Sequence, residues 1–279
     1  MGRAQERTAG AQERFAPTLS EASAPARPPA ETCRFTPGAA LPTNHRGMSR
    51  PLFLTVCAAL TALAFPRLLP AAEAEFKPIF NGRDLAGWEG NPKFWSVRDG
   101  AIRGETSLGV MTVENTFLLW RGGTVKDFQL KLKVRIRNGN SGVQYRARDL
   151  GKWIVAGYQA EIDNAKGKSG FLYEERGRKS LALIGEKVEL DDGEKPRVTG
   201  QLAGRKELIA QGYYKARDWN DYLIVAKGNR LEHFINGTRV IDVTDHDVKR
   251  RALEGLLALQ IHAGPPMLVE FKDILLQTQ

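Results

Sequence analysis

Residues 1–74 contain neither lysine nor aspartate, and residues 75–279 contain no cysteine. The lack of cysteine excludes disulfides and thiolate metal sites after residue 74, so the fold there depends on its core alone. An apolar run at Leu52–Phe65 has 14 residues, whereas a membrane-spanning helix needs about 20. The chain also lacks a G-x-S-x-G motif, a Walker loop and a Ser-His-Asp pattern, which argues against the enzyme classes that those motifs mark.

The composition changes at about residue 74. Residues 1–74 hold 9 of the 14 prolines and both cysteines, Cys33 and Cys57. Residues 1–47 show no hydrophobic periodicity, which predicts a disordered extension or one that is not part of the natural product. Residues 75–279 carry 33 basic and 27 acidic side chains, a dispersed net charge of +6. The +9 of the whole chain therefore does not indicate nucleic-acid binding.

A pattern typical of a secretory signal peptide begins at Met48. A short basic segment, Met-Ser-Arg-Pro, precedes the apolar run, and small residues at Ala72 and Ala74 suit a cleavage site. We therefore expect residues 48–74 to be a signal peptide, with export to the periplasm or the extracellular space and no stable membrane span. The alternative interpretation of the apolar run is a single membrane anchor.

Apolar side chains with a period of two predict a series of strands after residue 75. From Asp127 to Arg137 they alternate with polar ones, as in a half-buried antiparallel strand. Only Arg205–Gln211 suggests a helix, and Glu174–Arg217 is expected to form long excursions around the sheets. This spacing predicts one all-β domain over residues 75–279, a sandwich or jelly roll. The other predicted strands are Val143–Arg148, Trp153–Asp163, Asn220–Lys227, Arg230–Ile235, Arg239–Val243, Gly255–His262 and Met267–Leu276.

Three of these strands each have one polar and one apolar face. If they lie in one sheet, the apolar faces enter the core and the polar faces line the open side of the sheet. Amide, carboxylate and guanidinium groups have fixed donor and acceptor geometry, which suits sugar hydroxyl groups. The alternative is an ordinary polar surface with satisfied ion pairs. The polar side chains are Gln144, Arg146, Gln159, Glu161, Asp163, Gln260 and His262, and the aromatic rings nearby are Tyr173 and Trp219.

An ordered series of short motifs extends from Phe80 almost to the C-terminus. The series resembles the 3-keto-disaccharide (3-keto-glycoside) hydrolase domain family, long described as a domain of unknown function. The resemblance implies a concanavalin A-like jelly-roll sandwich of two antiparallel sheets with a concave open face, secretion, and action on oxidised glycosides. The motifs are Phe80-Asn-Gly-Arg-Asp-Leu-Ala-Gly-Trp88, Trp95-Ser-Val-Arg-Asp-Gly100, Asn140-Ser-Gly-Val-Gln-Tyr-Arg146, Tyr158-Gln-Ala-Glu-Ile-Asp163, Trp219-Asn-Asp-Tyr222, Gly228-Asn-Arg230, Asn236-Gly237 and Phe271-Lys-Asp-Ile274.

The substrate implied by this resemblance suggests an elimination mechanism. A ketone at C3 makes the C2 hydrogen acidic, so a base can remove it, the C1 aglycone leaves, and water adds back to the enone. We assign Glu161 or Asp163 as the base, with His262 as the alternative proton carrier and Arg146 at the developing enolate oxygen. The other predicted substrate contacts are Gln144, Gln159, Tyr173, Trp219 and Gln260.

Several alternatives stay open at this stage. A non-catalytic carbohydrate-binding module would use the same face without turnover, and a structural domain of a cell-surface assembly would need no site. A retaining glycosidase is disfavoured because Glu161 and Asp163 would lie beneath the same side of the substrate. A divalent cation such as calcium suits these two carboxylates, although no motif requires a cofactor. The expected partner is an oligosaccharide or an oxidised glycoside, and the sequence does not indicate an oligomeric state.

Overall fold

The computed structural model describes residues 75–165 and 167–279, so the predicted N-terminal extension and signal peptide lie outside the described residues. Among the described residues, almost all regular structure is β, and no helix is long and apolar enough to cross a membrane. In chain order the elements are β1 (Lys77–Pro78), β2 (Trp88–Glu89), β3 (Trp95–Arg98), β4 (Ala101–Glu105), β5 (Thr116–Trp120), β6 (Phe128–Asn138), β7 (Asn140–Asp149), β8 (Val155–Asp163), β9 (Leu172–Glu175), β10 (Lys179–Ala182), β11 (Glu186–Leu190), β12 (Arg197–Gln201), α1 (Arg205–Ala210), β13 (Asn220–Lys227), β14 (Arg230–Ile235), β15 (Thr238–Asp245), β16 (Leu256–Ile261) and β17 (Leu268–Thr278).

Two sheets form a sandwich. The larger sheet has the order β12-β11-β15-β14-β13-β6-β17-β4-β3, with β1 paired to β17. The smaller sheet has the order β10-β9-β8-β7-β16-β5-β2. All pairs are antiparallel except β11 with β15, which run parallel. The predicted fold class, an all-β jelly-roll sandwich, is confirmed.

The core lies between the sheets and is built by the predicted alternation. On β6 the five apolar side chains from Phe128 to Ile136 are buried, and the residues between them are partly or fully exposed. The facing apolar residues of β7, β8 and β16 are also buried, including Tyr145, Tyr158 and Leu259. Because apolar burial is the main stabilising contribution in a domain without disulfides, this repeated pattern determines the sandwich.

The expectation for Glu174–Arg217 was wrong. Instead of long excursions, this stretch contributes the end of β9 and all of β10, β11 and β12, besides the predicted helix α1. β12 is an edge strand with almost every side chain exposed, and β10 and β11 are short. Edge strands of this kind bury few side chains, so their sequence lacks a clear apolar alternation.

The predicted polar strands are neighbours in the smaller sheet, as the sandwich interpretation requires. β8 pairs with β7, and β7 pairs with β16, while β9 continues the sheet beyond β8. The register places Gln144 opposite Gln159 and Tyr173 opposite Gln159 on the other side. This arrangement brings the polar faces of four strands together on the side of the sheet that faces away from the core.

Candidate functional site

A cavity of about 200 Å³ lies on the open face of the smaller sheet, across β7, β8, β9 and β16. Its floor is formed by Gln159, Glu161 and Gln260, three residues predicted from the sequence. These side chains are buried although they point away from the core, with residue exposures of 2%, 5% and 1%. A polar group buried in this way needs hydrogen-bond partners, because an unpaired one is costly.

Amide side chains supply those partners in a chain across the floor. Gln144 Nε2 donates to Gln159 Oε1 at 2.6 Å, and Gln159 Nε2 donates to Glu161 Oε2 at 2.7 Å. Asn140 Nδ2 donates to the other carboxylate oxygen, Glu161 Oε1. Both oxygens of Glu161 therefore accept hydrogen bonds from amides. This row of hydrogen-bonded amides ends at Gln144. Its Oε1 atom is buried and has no hydrogen-bond partner among the described residues.

Gly142 makes room for this amide chain. A Cβ atom added at Gly142 would lie 2.3 Å from Gln159 Cδ, far closer than side chains can approach. Gly142 is directly opposite Glu161 in the β7–β8 register, so it occupies the place on β7 over which the Gln159 side chain lies. The family-like motif at residues 140–146 therefore contains a glycine that the site requires for steric reasons.

The burial of Glu161 changes its acidity. The pKa of Glu161 is raised from 4.5 to about 7, chiefly because the carboxylate is removed from water. The hydrogen bonds from Asn140 and Gln159 oppose this rise, and the charges of Asp163 and Glu175 contribute to it. A carboxyl group that titrates near neutral pH can accept and release a proton under physiological conditions, which is the property of a general acid or base.

A second carboxylate, Glu175, faces the same cavity and was not predicted. Asn115 Nδ2 donates to Glu175 Oε2 at 3.1 Å, and Gln260 Nε2 lies 3.4 Å from the same oxygen. Gln260 Oε1 is in turn 3.5 Å from Gln159 Nε2, so amides connect Glu175 to the neighbourhood of Glu161. Phe171, directly before β9, alternates with Tyr173 and Glu175 on the strand, and this period of two is the sequence signal that would have identified the carboxylate.

Tyr173 and His262, two of the candidate residues from the sequence, also line the cavity. Burial raises the pKa of the Tyr173 phenol, with further contributions from the charges of Glu175 and Glu161, so the phenol keeps its proton and can donate a hydrogen bond. The exposed His262 ring donates from Nδ1 to the Ala263 carbonyl at 2.5 Å. In the neutral ring this leaves Nε2 as an acceptor.

A second cavity of about 330 Å³ adjoins the first and shares Asn140, Glu161 and Phe171 with it. Asp163 lines this second cavity, where its Oδ1 accepts a hydrogen bond from the Ala165 amide at 2.7 Å and shapes the following turn. The predicted Glu161–Asp163 pair is thus divided: Glu161 lies at the junction of both cavities and Asp163 beside the second one. Asn140, which lies between the predicted strands Asp127–Arg137 and Val143–Arg148, begins β7 and contacts both carboxylates.

The structure contradicts the placement of Arg146 on the open face. Arg146 has a φ of 47°, and the β7–β8 register shifts between Tyr145 and Arg148. This β-bulge turns the Arg146 side chain away from the cavity. Its guanidinium is fully buried and donates to the carbonyl groups of Lys126 and Gly228 at 2.6 to 2.8 Å. Arg146 therefore holds loops together by hydrogen bonds at one end of the sandwich and does not contact the site.

Trp219 is also far from the predicted position. It immediately precedes β13, a strand of the larger sheet. Arg135 and Lys272 lie over its ring, 4.6 Å and 4.4 Å from a ring centroid, on strands β6 and β17 of that sheet. Because the indole ring is covered by two cations on the other sheet, it cannot stack on a sugar in the cavity.

No group of three or more His, Cys, Asp or Glu side chains that could hold a metal ion occurs within residues 75–165 and 167–279. Glu161 and Asp163 share the Asn140 amide, and Lys168 Nζ lies 3.9 Å from Asp163 Oδ2. These contacts satisfy the two carboxylates with nitrogen donors. The polar groups that line the first cavity include carboxylates, amides, a phenol and an imidazole.

Several solved structures are similar to this chain. A Parabacteroides distasonis protein assigned as a glycosyl hydrolase is 19% identical, with 74% of this chain and 100% of that chain covered and a TM-score of 0.48. The carbohydrate-binding module CBM66 from Bacillus subtilis is 15% identical, with 69% and 96% covered and a TM-score of 0.45. A Bacillus subtilis protein of unknown function with a galectin-like fold is 9% identical, with 70% and 90% covered and a TM-score of 0.46.

The sequence comparisons are more specific. No curated protein matches the chain. A family model for the 3-keto-alpha-glucoside-1,2-lyase-like domain, however, matches residues 75–277, which is most of the chain and all but two residues of the described sandwich. The sandwich, its open-face cavity and this match together identify the chain as a member of the 3-keto-alpha-glucoside-1,2-lyase-like domain family of carbohydrate-active, glycosyl hydrolase-like proteins.

Proposed function

We propose that this protein cleaves 3-keto-glycosides by base-promoted elimination followed by hydration. The observation that carries the proposal is Glu161, a buried carboxyl group with a pKa of about 7 at the junction of two cavities. The family to which the chain belongs supports the same reaction class.

The reaction needs one group that accepts a proton and one that returns it. Removal of the C2 hydrogen leaves its electron pair to form the C1=C2 double bond, the C1–O bond breaks, and the aglycone oxygen takes up a proton. Water then adds its oxygen to C1 while a proton returns to C2, so the net result is hydrolysis. Since the C3 ketone stabilises the negative charge that forms next to it, no oxocarbenium ion is needed.

In this reaction Glu161 accepts the C2 proton, because its ionised fraction is substantial near pH 7 and its protonated form is stable in the buried site. Tyr173 keeps its proton and can donate to the developing enolate oxygen, the role that the sequence had given to Arg146. Glu175 and His262 line the same cavity and are the groups available to protonate the leaving oxygen. The amides of Gln159 and Gln260 orient sugar hydroxyl groups.

A non-catalytic carbohydrate-binding module is the second candidate function. The amide-rich floor favours it, because amide groups bind sugar hydroxyls whether or not a reaction follows. Both functions place the sugar in the same cavity, so they differ in turnover and not in binding.

The test is an assay of purified protein with a 3-keto-glucoside in D₂O. Wild-type protein should release the aglycone and incorporate deuterium at C2, and Glu161→Gln should lose both while it still binds the sugar. Glu194→Gln is the matched control, since Glu194 is an exposed side chain on the loop between β11 and β12 and lines neither cavity. Binding without aglycone release or deuterium incorporation by the wild type would favour the binding module and contradict the enzyme.

Export is a further part of the proposal. It depends on the basic, apolar and small-residue pattern of residues 48–74. N-terminal sequencing of protein recovered outside the cytoplasm should find a start near Glu75, and a mature protein that retains Leu52–Phe65 would contradict cleavage.

A further inference from the structure

The two adjoining cavities differ in chemical character, and Glu161 marks the boundary between them. The smaller cavity is lined mainly by amides, carboxylates, Tyr173 and His262. Its volume of about 200 Å³ suits a single sugar ring, whose hydroxyl groups would find a polar partner on each side. Since the proton acceptor must reach C2, next to the scissile bond, the bond that breaks lies close to Glu161.

The larger cavity begins on the other side of Glu161, and apolar atoms make up most of its lining surface, although polar side chains also reach it. Phe171, Leu183 and Ile184 form its walls. Leu183 is 49% exposed, which leaves an apolar surface open at the mouth of the cavity. Ligand sites typically combine such apolar walls with a few polar groups, and a sugar unit would leave unpaired the hydroxyl groups that face these walls. The polar groups here are Asn140, Glu161, Asp163, Lys168 and Arg205.

Two cations stand at the rim of the larger cavity. Lys168 lies 3.9 Å from Asp163, which balances its charge. Arg205, the first residue of α1, also lines the cavity, and no carboxylate in residues 75–165 and 167–279 forms an ion pair with it. An exposed guanidinium that lacks a carboxylate partner at the mouth of an apolar cavity can bind an anionic group of a ligand.

We infer that the larger cavity binds the aglycone, and that the preferred aglycone is an apolar ring that carries a carboxylate or similar anionic group. The inference rests on the proposed function for the reaction at Glu161, but it adds the substrate class. A glycoside with its sugar ring in the smaller cavity would direct its aglycone past Glu161 and Phe171, over Leu183, towards Arg205.

The charge preference is tested with two 3-keto-glucosides of equal shape, one of 4-carboxybenzyl alcohol and one of 4-carbamoylbenzyl alcohol. We expect the wild-type KM to be lower for the carboxylate by about two- to fivefold, the range of a solvent-exposed ion pair. Arg205→Gln should abolish this difference, and Lys206→Gln, a change at the next exposed helix position, should leave it unchanged. Equal KM values in the wild type, or a preference that persists in Arg205→Gln, would overturn the assignment.

The apolar preference is tested by comparing a benzyl aglycone with a glucosyl aglycone. Benzyl alcohol is no better as a leaving group than a sugar hydroxyl, so a lower KM for the benzyl compound reports binding. Leu183→Asn should reduce this preference, and Val248→Asn, at an exposed position outside the cavity, should not. A preference for the glucosyl compound would contradict the inference.

Equilibrium binding of the corresponding unoxidised glucosides separates the two proposals. If cleavage of every 3-keto-glucoside fails but binding shows the Arg205-dependent carboxylate preference, the proposed reaction is wrong and the aglycone site remains. If cleavage succeeds but neither KM nor binding depends on Arg205 or Leu183, the reaction stands and the aglycone assignment is wrong.

Discussion

Replacement of Glu161 by glutamine should change how the stability of this protein depends on pH. In the folded state the pKa of Glu161 is about 7, and its ordinary value is 4.5. Folding therefore favours the protonated form. The stabilisation is fully present below pH 4.5, declines as the pH rises from 4.5 to 7, and is lost above 7. At 1.36 kcal/mol per pKa unit, the change amounts to about 3 kcal/mol.

The glutamine variant has no such titration. It does require a rearrangement, because its amide nitrogen would face a donor from Asn140 or Gln159. Rotation of the Gln159 and Gln144 amides would resolve the conflict, and the free Gln144 Oε1 could then accept from Gln159 Nε2. The cost of this rearrangement does not depend on pH, so it cancels when the two proteins are compared at different pH values.

The measurement is urea denaturation of the wild type and Glu161→Gln at pH 5 and pH 8. From pH 5 to pH 8 the free energy of unfolding of the wild type should fall relative to the variant by about 2 to 3 kcal/mol, or roughly 5 to 10 °C in Tm for a domain of this size. Other titrating groups contribute equally to both proteins. Glu194→Gln, at an exposed position, should follow the wild type. Parallel pH curves for the wild type and Glu161→Gln would refute the reasoning.

Three further results are expected. Gly142→Ala should displace the Gln159 side chain, because the added Cβ would lie 2.3 Å from Gln159 Cδ. We expect a large fall in kcat, measured by steady-state kinetics, and a smaller effect on the free energy of unfolding, measured by denaturation. Burial lowers the pKa of His233 from 6.5 to about 4, so the wild type should lose about 3 kcal/mol relative to His233→Gln as the pH falls from 6.5 to 4; equal losses would contradict this. Glu175→Gln should lower kcat strongly and Asp163→Asn only slightly, and the reverse order would restore the assignment made from sequence.

Much of the site could be predicted because it lies on regular strands. Gln159 and Glu161 share a face of β8, and a period of two places them there whatever the rest of the fold does. The same rule places Gln144 on β7 and Gln260 on β16. What the sequence could not supply is the register that brings these strands together, since pairing depends on contacts between distant segments.

The residues that were wrongly placed or missed lie where strands become irregular or end. Trp219 precedes a strand of the larger sheet, and local alternation contains no information about which sheet a strand joins. Asn140 belongs to β7 because the connection from β6 is the single residue Gly139, with a φ of 84°, where a longer turn was expected. Glu175 ends a four-residue strand within a stretch interpreted as irregular.

The bulge at Arg146 also determines where the cleft ends. Before the bulge, Gln144 faces the open side of the sheet, and after it Ala147 does. A strand with an unbroken period of two would have placed Arg146 and Arg148 on this side instead. Ala147 joins a second apolar cluster, packed under Trp153, whose carbonyl accepts a hydrogen bond from the Phe117 amide. The other members of this cluster are Phe117, Leu119, Val155 and Ala258.

This cluster covers part of the open face with apolar side chains, and the polar cavity that contains Glu161 lies beside it. The wall it forms at the Gln144 end explains why that amide has an oxygen without a partner: the neighbours beyond it are apolar. A single inserted residue therefore removes a cation from the predicted site and brings Ala147 into the apolar cluster on the open face. Desolvation is the main cause of the raised pKa of Glu161, and the carboxylate contacts Asn140 and Gln159 rather than the apolar cluster. The acidity of the proposed catalytic group is therefore set by its neighbours on β7 and β8.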